Sequence, residues 1–91
     1  MKKFVIIVNA LKDQYLTETK KICSYIEKRG AQCRYLVSVD EQEGIQKVYA
    51  ESIPKGTECI LVLGGDGTLI RAARDTVECG IPLIGVNLCM L

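Results

Sequence analysis

The sequence predicts an α/β fold, a small parallel sheet with flanking helices, and three observations lead to it. Residues 4–8 (Phe-Val-Ile-Ile-Val) and 59–63 (Cys-Ile-Leu-Val-Leu) are continuous apolar runs that stop abruptly at Asn9 and Gly64. Runs of this length without alternation suit strands buried on both faces. Each run is followed by a stretch with helical spacing that ends at a glycine, Gly30 and then Gly80. Strands alternating with helices build β-α-β crossovers and hence a parallel sheet.

The elements follow in order. The first strand covers residues 4–8. Asp13 can cap the next helix, where Leu16, Thr19, Ile22, Cys23 and Ile26 recur as one buried stripe. Lys28 and Arg29 suit its last turn, and Gly30 is the expected stop. Residues 32–39 form a second strand, with Tyr35 and Val37 alternating against Arg34 and Leu36. Residues 40–44 are an acidic loop. Residues 45–50 suit a short helix, with Ile45, Val48 and Tyr49 on one side, and Pro54-Lys55-Gly56 is a turn. Residues 59–63 are the third strand. The helix over 68–78 turns Leu69, Ile70, Ala73 and Val77 inward and stops at Gly80. A fourth strand, 82–86, is entered through Pro82.

The chain has 91 residues, the size of one small domain with one core. Lys+Arg 12 against Asp+Glu 11 leaves a net charge of +1, which gives no reason to expect nucleic acid or an acidic membrane surface as a partner. The apolar runs are far too short to span a bilayer. Five cysteines without a Cys-x-x-Cys pair, and no histidine, exclude zinc-ligand spacing and Ser-His or Cys-His catalysis within these residues. No metal-ligating residues are assigned. The cysteines read as buried or half-buried free thiols in a reducing cytoplasm, and the four tyrosines as packing residues.

The chemistry concentrates in Gly64-Gly65-Asp66-Gly67-Thr68. Glycines allow positive φ and let a ligand approach the backbone closely. The helix start aims unpaired N–H groups and a positive dipole end at the same spot, which suits phosphate. A carboxylate among such amides, Asp66, is better placed to accept a proton or hold a metal than to bind phosphate. A plain strand-to-helix turn would need only an N-cap, and three glycines in four residues exceed that need. In a parallel sheet ligands bind at the carboxyl ends of strands, so Asn9, residues 64–68 and Asn87 are expected to share one rim. Arg71 lies more than one helical turn past Asp66, and Arg74 is expected on the solvent face.

The Gly-Gly-Asp-Gly-Thr motif resembles the signature of the NAD kinase, diacylglycerol kinase and phosphofructokinase-like superfamily. Its flanks, residues 69–74 (Leu-Ile-Arg-Ala-Ala-Arg) and 81–88 (Ile-Pro-Leu-Ile-Gly-Val-Asn-Leu), resemble bacterial NAD kinase. Lipid kinases of the superfamily usually carry an Asn-Glu pair soon after the motif, where this chain has Ile70-Arg71-Ala72. The resemblance covers the whole chain but only the family's N-terminal half. It implies a kinase that moves a phosphoryl group from ATP, or polyphosphate, to the 2′-hydroxyl of the adenosine ribose of NAD, with Mg²⁺ on the phosphates. Asp66 would accept the proton, and Asp66, Gly67 and Arg71 would contact the dinucleotide, with Asn87 added to the binding residues as a strand-end ligand. Gly64, Gly65 and Thr68 would complete the phosphate-side turn. A lipid or sugar kinase of the same superfamily, or a non-catalytic domain, is the alternative.

After Leu88 the family's glycine-rich continuation is replaced by Cys89-Met90-Leu91. Residues 1–91 are therefore expected to be the family's N-terminal α/β nucleotide-binding domain without its C-terminal β-rich NAD-binding domain. They are expected to be cytoplasmic, inactive alone, and inclined to self-associate as a homo-oligomer through an uncovered face.

Overall fold

The computed structural model describes residues 2–9, 13, 16–38 and 53–87. The helix expected at 45–50, the loop before it, Tyr15, Tyr49 and Cys89 lie outside these residues. Strands β1 (Lys3–Asn9), β2 (Gln32–Ser38), β3 (Cys59–Gly64) and β4 (Leu83–Asn87) alternate with helices α1 (Thr17–Lys28) and α2 (Asp66–Thr76). A 3₁₀ turn, Val77–Cys79, prolongs α2. The strands form a wholly parallel sheet in the order β2-β1-β3-β4, as the alternating pattern predicts.

β1 is central and its apolar run is completely buried, Val5 to Val8 all at 0% exposure. Its alternate side chains feed two cores. On one face Ile6, Val8, Cys33 and Leu63 pack under Leu16, Ile22, Cys23 and Ile26 of α1 and its lead-in. On the other, Val5, Ile7, Ile60 and Val62 pack under Leu69 and Ala72 of α2. A run apolar at every position is what two covered faces require.

The N-cap residue of α1 is Leu16, in the left-handed region at φ 55°, and the carboxylate expected to cap the helix acts from three residues before it, while the C-terminal stop is as expected. The Asp13 carboxylate accepts the Glu18 N–H at 2.9 Å, the Thr19 N–H at 2.7 Å and the Thr19 hydroxyl at 2.7 Å. At the other end Gly30 adopts φ 89°. Its N–H donates to Glu27 O and the Ala31 N–H reaches Ile26 O, the paired bonds of a Schellman stop.

Three expectations need correction. α2 starts at Asp66 rather than Thr68, and its buried line is Thr68, Ala72 and Thr76, while Ile70 and Val77 are exposed. Small side chains let α2 lie close on the sheet. The Thr76 hydroxyl is satisfied locally, donating to Ala72 O at 2.8 Å, so apolar volume does not set the phase. On β2, Tyr35 and Val37 are 40% and 44% exposed and Leu36 packs into the α2-side core. β2 is an edge strand, and α1 covers only part of its outer half. Tyr25 is likewise exposed, with the Arg29 guanidinium 4.9 Å from its ring centre, a surface cation–π contact rather than a packing residue.

Candidate functional site

The strand order fixes where a ligand site can form. β1 connects leftward to β2 through α1, and β3 connects rightward to β4 through α2, with the two helices on opposite faces. The connections that leave the carboxyl ends of β1 and β3 therefore run in opposite directions, which makes this the switch point, the place where open α/β sheets bind ligands in a crevice. Val8 pairs with Leu63 and Gly64 with Asn87. Asn9, Gly64 and Asn87 thus stand side by side along the rim, with Ser38 of β2 next to Asn9. The sequence offers Ser38 no distinguishing signal beyond its place at a strand end.

The glycine motif sits at this crevice. Gly64 ends β3, Gly65 is the N-cap of α2 in an extended conformation (φ −101°, ψ −170°), and Asp66, Gly67 and Thr68 are the first three helical residues. The first intrahelical bond runs from the Leu69 N–H to Gly65 O at 3.2 Å. The N–H groups of residues 66–68 thus have no helical acceptor, and a glycine N-cap brings no side chain to satisfy them. They remain available, with the positive end of the α2 dipole, to an anion in the crevice.

The three glycines differ in what demands them. A Cβ at Gly64 would lie 2.8 Å from the Thr68 hydroxyl oxygen and 3.0 Å from its Cβ, so only glycine lets α2 close down on β3. At Gly65 and Gly67 an added Cβ would meet nothing within 4 Å. Neither needs the positive φ expected from the sequence, since Gly65 is extended and Gly67 helical. At both positions the place of a side chain is empty among the described residues.

Thr68 is buried and its hydroxyl accepts a hydrogen bond from the Asn9 side-chain amide at 3.3 Å. This bond ties the end of β1 to the first turn of α2 across the crevice floor. Asn9 thus has a structural task that its place at a strand end does not reveal. Arg71 lies in the second turn, half-buried beside the Thr68–Ala72 line and already engaged with a partner. The fold brings Gly64, Gly65, Asp66, Gly67, Thr68 and Asn87 to one rim and sets Arg71 one turn deeper. Arg74 is exposed, as expected.

Asp13 lies behind the rim, its N–H bonded to Asn9 O at 3.2 Å. Burial pushes its carboxyl up, but the Thr19 hydroxyl and the backbone N–H groups of residues 17–19 outweigh this and hold it below its ordinary value. Among the described residues no group of three His, Cys, Asp or Glu side chains could hold a metal ion. No described helix is long and apolar enough to cross a membrane.

Comparison with known proteins gives a consistent result. Residues 4–91 match the family described as the ATP-NAD kinase N-terminal domain. The chain is 51% identical over 88 residues to the NAD kinase of Agathobacter rectalis, covering 97% of this chain and 31% of that protein. It is 43% identical over 90 residues to the NAD kinase of Lachnoclostridium phytofermentans and 40% over 92 residues to that of Lachnospira eligens. In both cases 97% of this chain is covered, with 30% and 31% of the respective relatives. The chain thus spans under a third of the length of the relatives it matches.

Proposed function

The chain belongs to the ATP-NAD kinase N-terminal domain family, and from that premise we propose that it forms the phosphate-handling wall of an NAD kinase. The reaction would transfer the γ-phosphoryl group of ATP to the 2′-hydroxyl of the adenosine ribose of NAD, giving NADP. The observation that carries this reading is the start of α2 at the switch point, where the first N–H groups have no intrahelical acceptor or side-chain cap and where added side chains at Gly65 and Gly67 would meet no described atom within 4 Å. Such groups, fixed before reaction, stabilise phosphate charge without reorganising. Asp66, in the first turn, is the proton acceptor in this reading. It orients the 2′-hydroxyl and takes the proton as the new P–O bond forms. Gly67, Arg71 and Asn87 would face the dinucleotide.

In this reading a magnesium ion arrives on the nucleotide phosphates rather than in a cage of protein ligands. Bound there, Mg²⁺ would neutralise charge on the transferring group. The reading includes a second, C-terminal NAD-binding domain, a cytoplasmic setting and assembly into a homo-oligomer. Exposed Ile70, Val77 and Ile84 are apolar surface such an assembly could cover.

The test is an acceptor panel offered to the protein at the full length of its relatives, with ATP and Mg²⁺. NADP is expected from NAD, and no product from diacylglycerol or sugar phosphates. Phosphorylation of a lipid or sugar in place of NAD would replace this reading with another kinase of the superfamily.

A further inference from the structure

At the opposite end of the sheet from the glycine turn, α1 and β2 face each other through two thiols. Cys23 Sγ and Cys33 Sγ lie 3.0 Å apart, although ten residues separate them in sequence. Cys23 belongs to α1 and is half-buried, whereas Cys33 belongs to β2 and is buried. Cys33 pairs with Phe4 near the start of β1, whereas Gly64 pairs with Asn87 at the far rim. The thiols are thus remote from the phosphate wall. Above them a surface groove of about 450 Å³ runs between α1 and β2, with Lys20 and Arg34 as its cations and Glu27 as its carboxylate.

We propose that Cys23 and Cys33 are a reversible disulfide site, oxidised by an anionic low-molecular-weight disulfide that enters the groove. The two sulfurs need to approach by about 1 Å to reach the length of an S–S bond. The groove's two cations suit an oxidant carrying carboxylates, of which glutathione disulfide is the probe.

The steps balance. Cys23, the less buried of the two thiols that line the groove, loses its proton to water and attacks one sulfur of the probe. One glutathione leaves as thiolate and takes up a proton. Cys33 then gives up its proton, attacks the Cys23 sulfur of the mixed disulfide and expels the second glutathione as thiol. Two protein thiols are oxidised and one disulfide is reduced to two thiols. Burial, and then the contact with Cys23, push the Cys33 thiol up to about 12. Cys33 is therefore the second sulfur to react, and its closeness offsets its low thiolate fraction. The product joins α1 to β2 across the Gly30 turn. It restrains the unfolded chain without touching the rim.

The test uses the unmodified chain. It is incubated folded with glutathione disulfide, quenched by alkylation and digested with trypsin. Cleavage after Lys21, Lys28, Arg29 and Arg34 places Cys23 in peptide 22–28 and Cys33 in peptide 30–34. These two peptides are expected joined in most molecules, with Cys59 recovered as an alkylated thiol. The oxidised chain should melt several degrees higher, on the order of 5–15 °C, and return on reduction. In Cys33→Ser the second step is lost, and Cys23 should accumulate as its glutathione mixed disulfide. Recovery of both thiols alkylated, pairing of Cys23 with Cys79 or Cys89, or a wild-type chain stalled at the mixed disulfide would overturn the proposal. So would a lower melting temperature for the linked form. The wild-type map decides even if Cys33→Ser does not fold.

Discussion

A Cβ added at Gly64 would press on a buried, β-branched side chain, because Thr68 is held by packing and by the Asn9 amide. Gly64→Ala should therefore cost about 1–3 kcal/mol of stability, the range for overpacking a tight site. Gly65→Ala and Gly67→Ala meet open space and ordinary backbone angles. Gly67→Ala should leave stability within about 0.5 kcal/mol or raise it, as removing glycine entropy does, and Gly65→Ala should cost no more than about 1 kcal/mol, because alanine is a poorer N-cap than glycine. Yet each puts a methyl group where a phosphate would approach, so nucleotide affinity should fall. Melting temperature and nucleotide affinity measured on all three variants separate the roles. If Gly65→Ala and Gly67→Ala unfold the protein while binding per folded molecule is unchanged, the open space is not a binding surface.

At the scale of elements, α1 is anchored by a carboxylate outside it. Asp13 accepts hydrogen bonds at the helix start through both carboxylate oxygens, and an amide can accept through only one, so replacing it by Asn should cost about 1–3 kcal/mol at neutral pH, the cost of a buried donor left without its acceptor. Its folded pKa lies below its unfolded one. The contribution is therefore complete above the unfolded pKa and is lost as pH falls through the folded value. Urea midpoints taken from neutral pH down through the carboxylate range should fall for the wild type and fall less for Asp13→Asn. Parallel declines would show that Asp13 carries no linkage.

The elements also show what the sequence can and cannot reveal. Fully apolar β1 and β3, the Asp13 cap and the Gly30 stop are local signals, and the fold keeps each of them. The glycine motif marks the candidate site because its composition exceeds what a turn needs. The start of α2 is hidden because Gly67 is a poor helix former that only tertiary docking places in a first turn. Its phase is hidden because Thr68, Ala72 and Thr76 are buried for their small size, leaving Ile70 and Val77 outside. The bond from Asn9 to Thr68 joins residues 59 apart, a contact visible only once the strand order is known.

On the scale of the whole molecule, the sheet provides one wall of the site in the proposed reading. Phosphoryl transfer needs the acceptor hydroxyl held at about 3–3.5 Å from phosphorus, which requires a second surface gripping the ribose. On the α1 side, β3 and β4 leave Leu61 and Val86 half-buried and Ile84 exposed, without the cover α1 gives β1. Residues 1–91 alone, at high concentration with NAD, ATP and Mg²⁺, should yield no NADP above a no-enzyme control. Turnover by this segment would mean that copies of it build a complete site together.

The central claim, that the Gly64–Thr68 turn performs phosphoryl transfer with Asp66 as proton acceptor, meets its most direct test in Asp66→Asn made at the full length of the relatives. An amide keeps the shape of the side chain but cannot accept the proton. NADP formation should fall roughly 10²–10⁴-fold while NAD affinity changes far less. Near-normal turnover in Asp66→Asn, or a loss confined to NAD binding, would contradict the account.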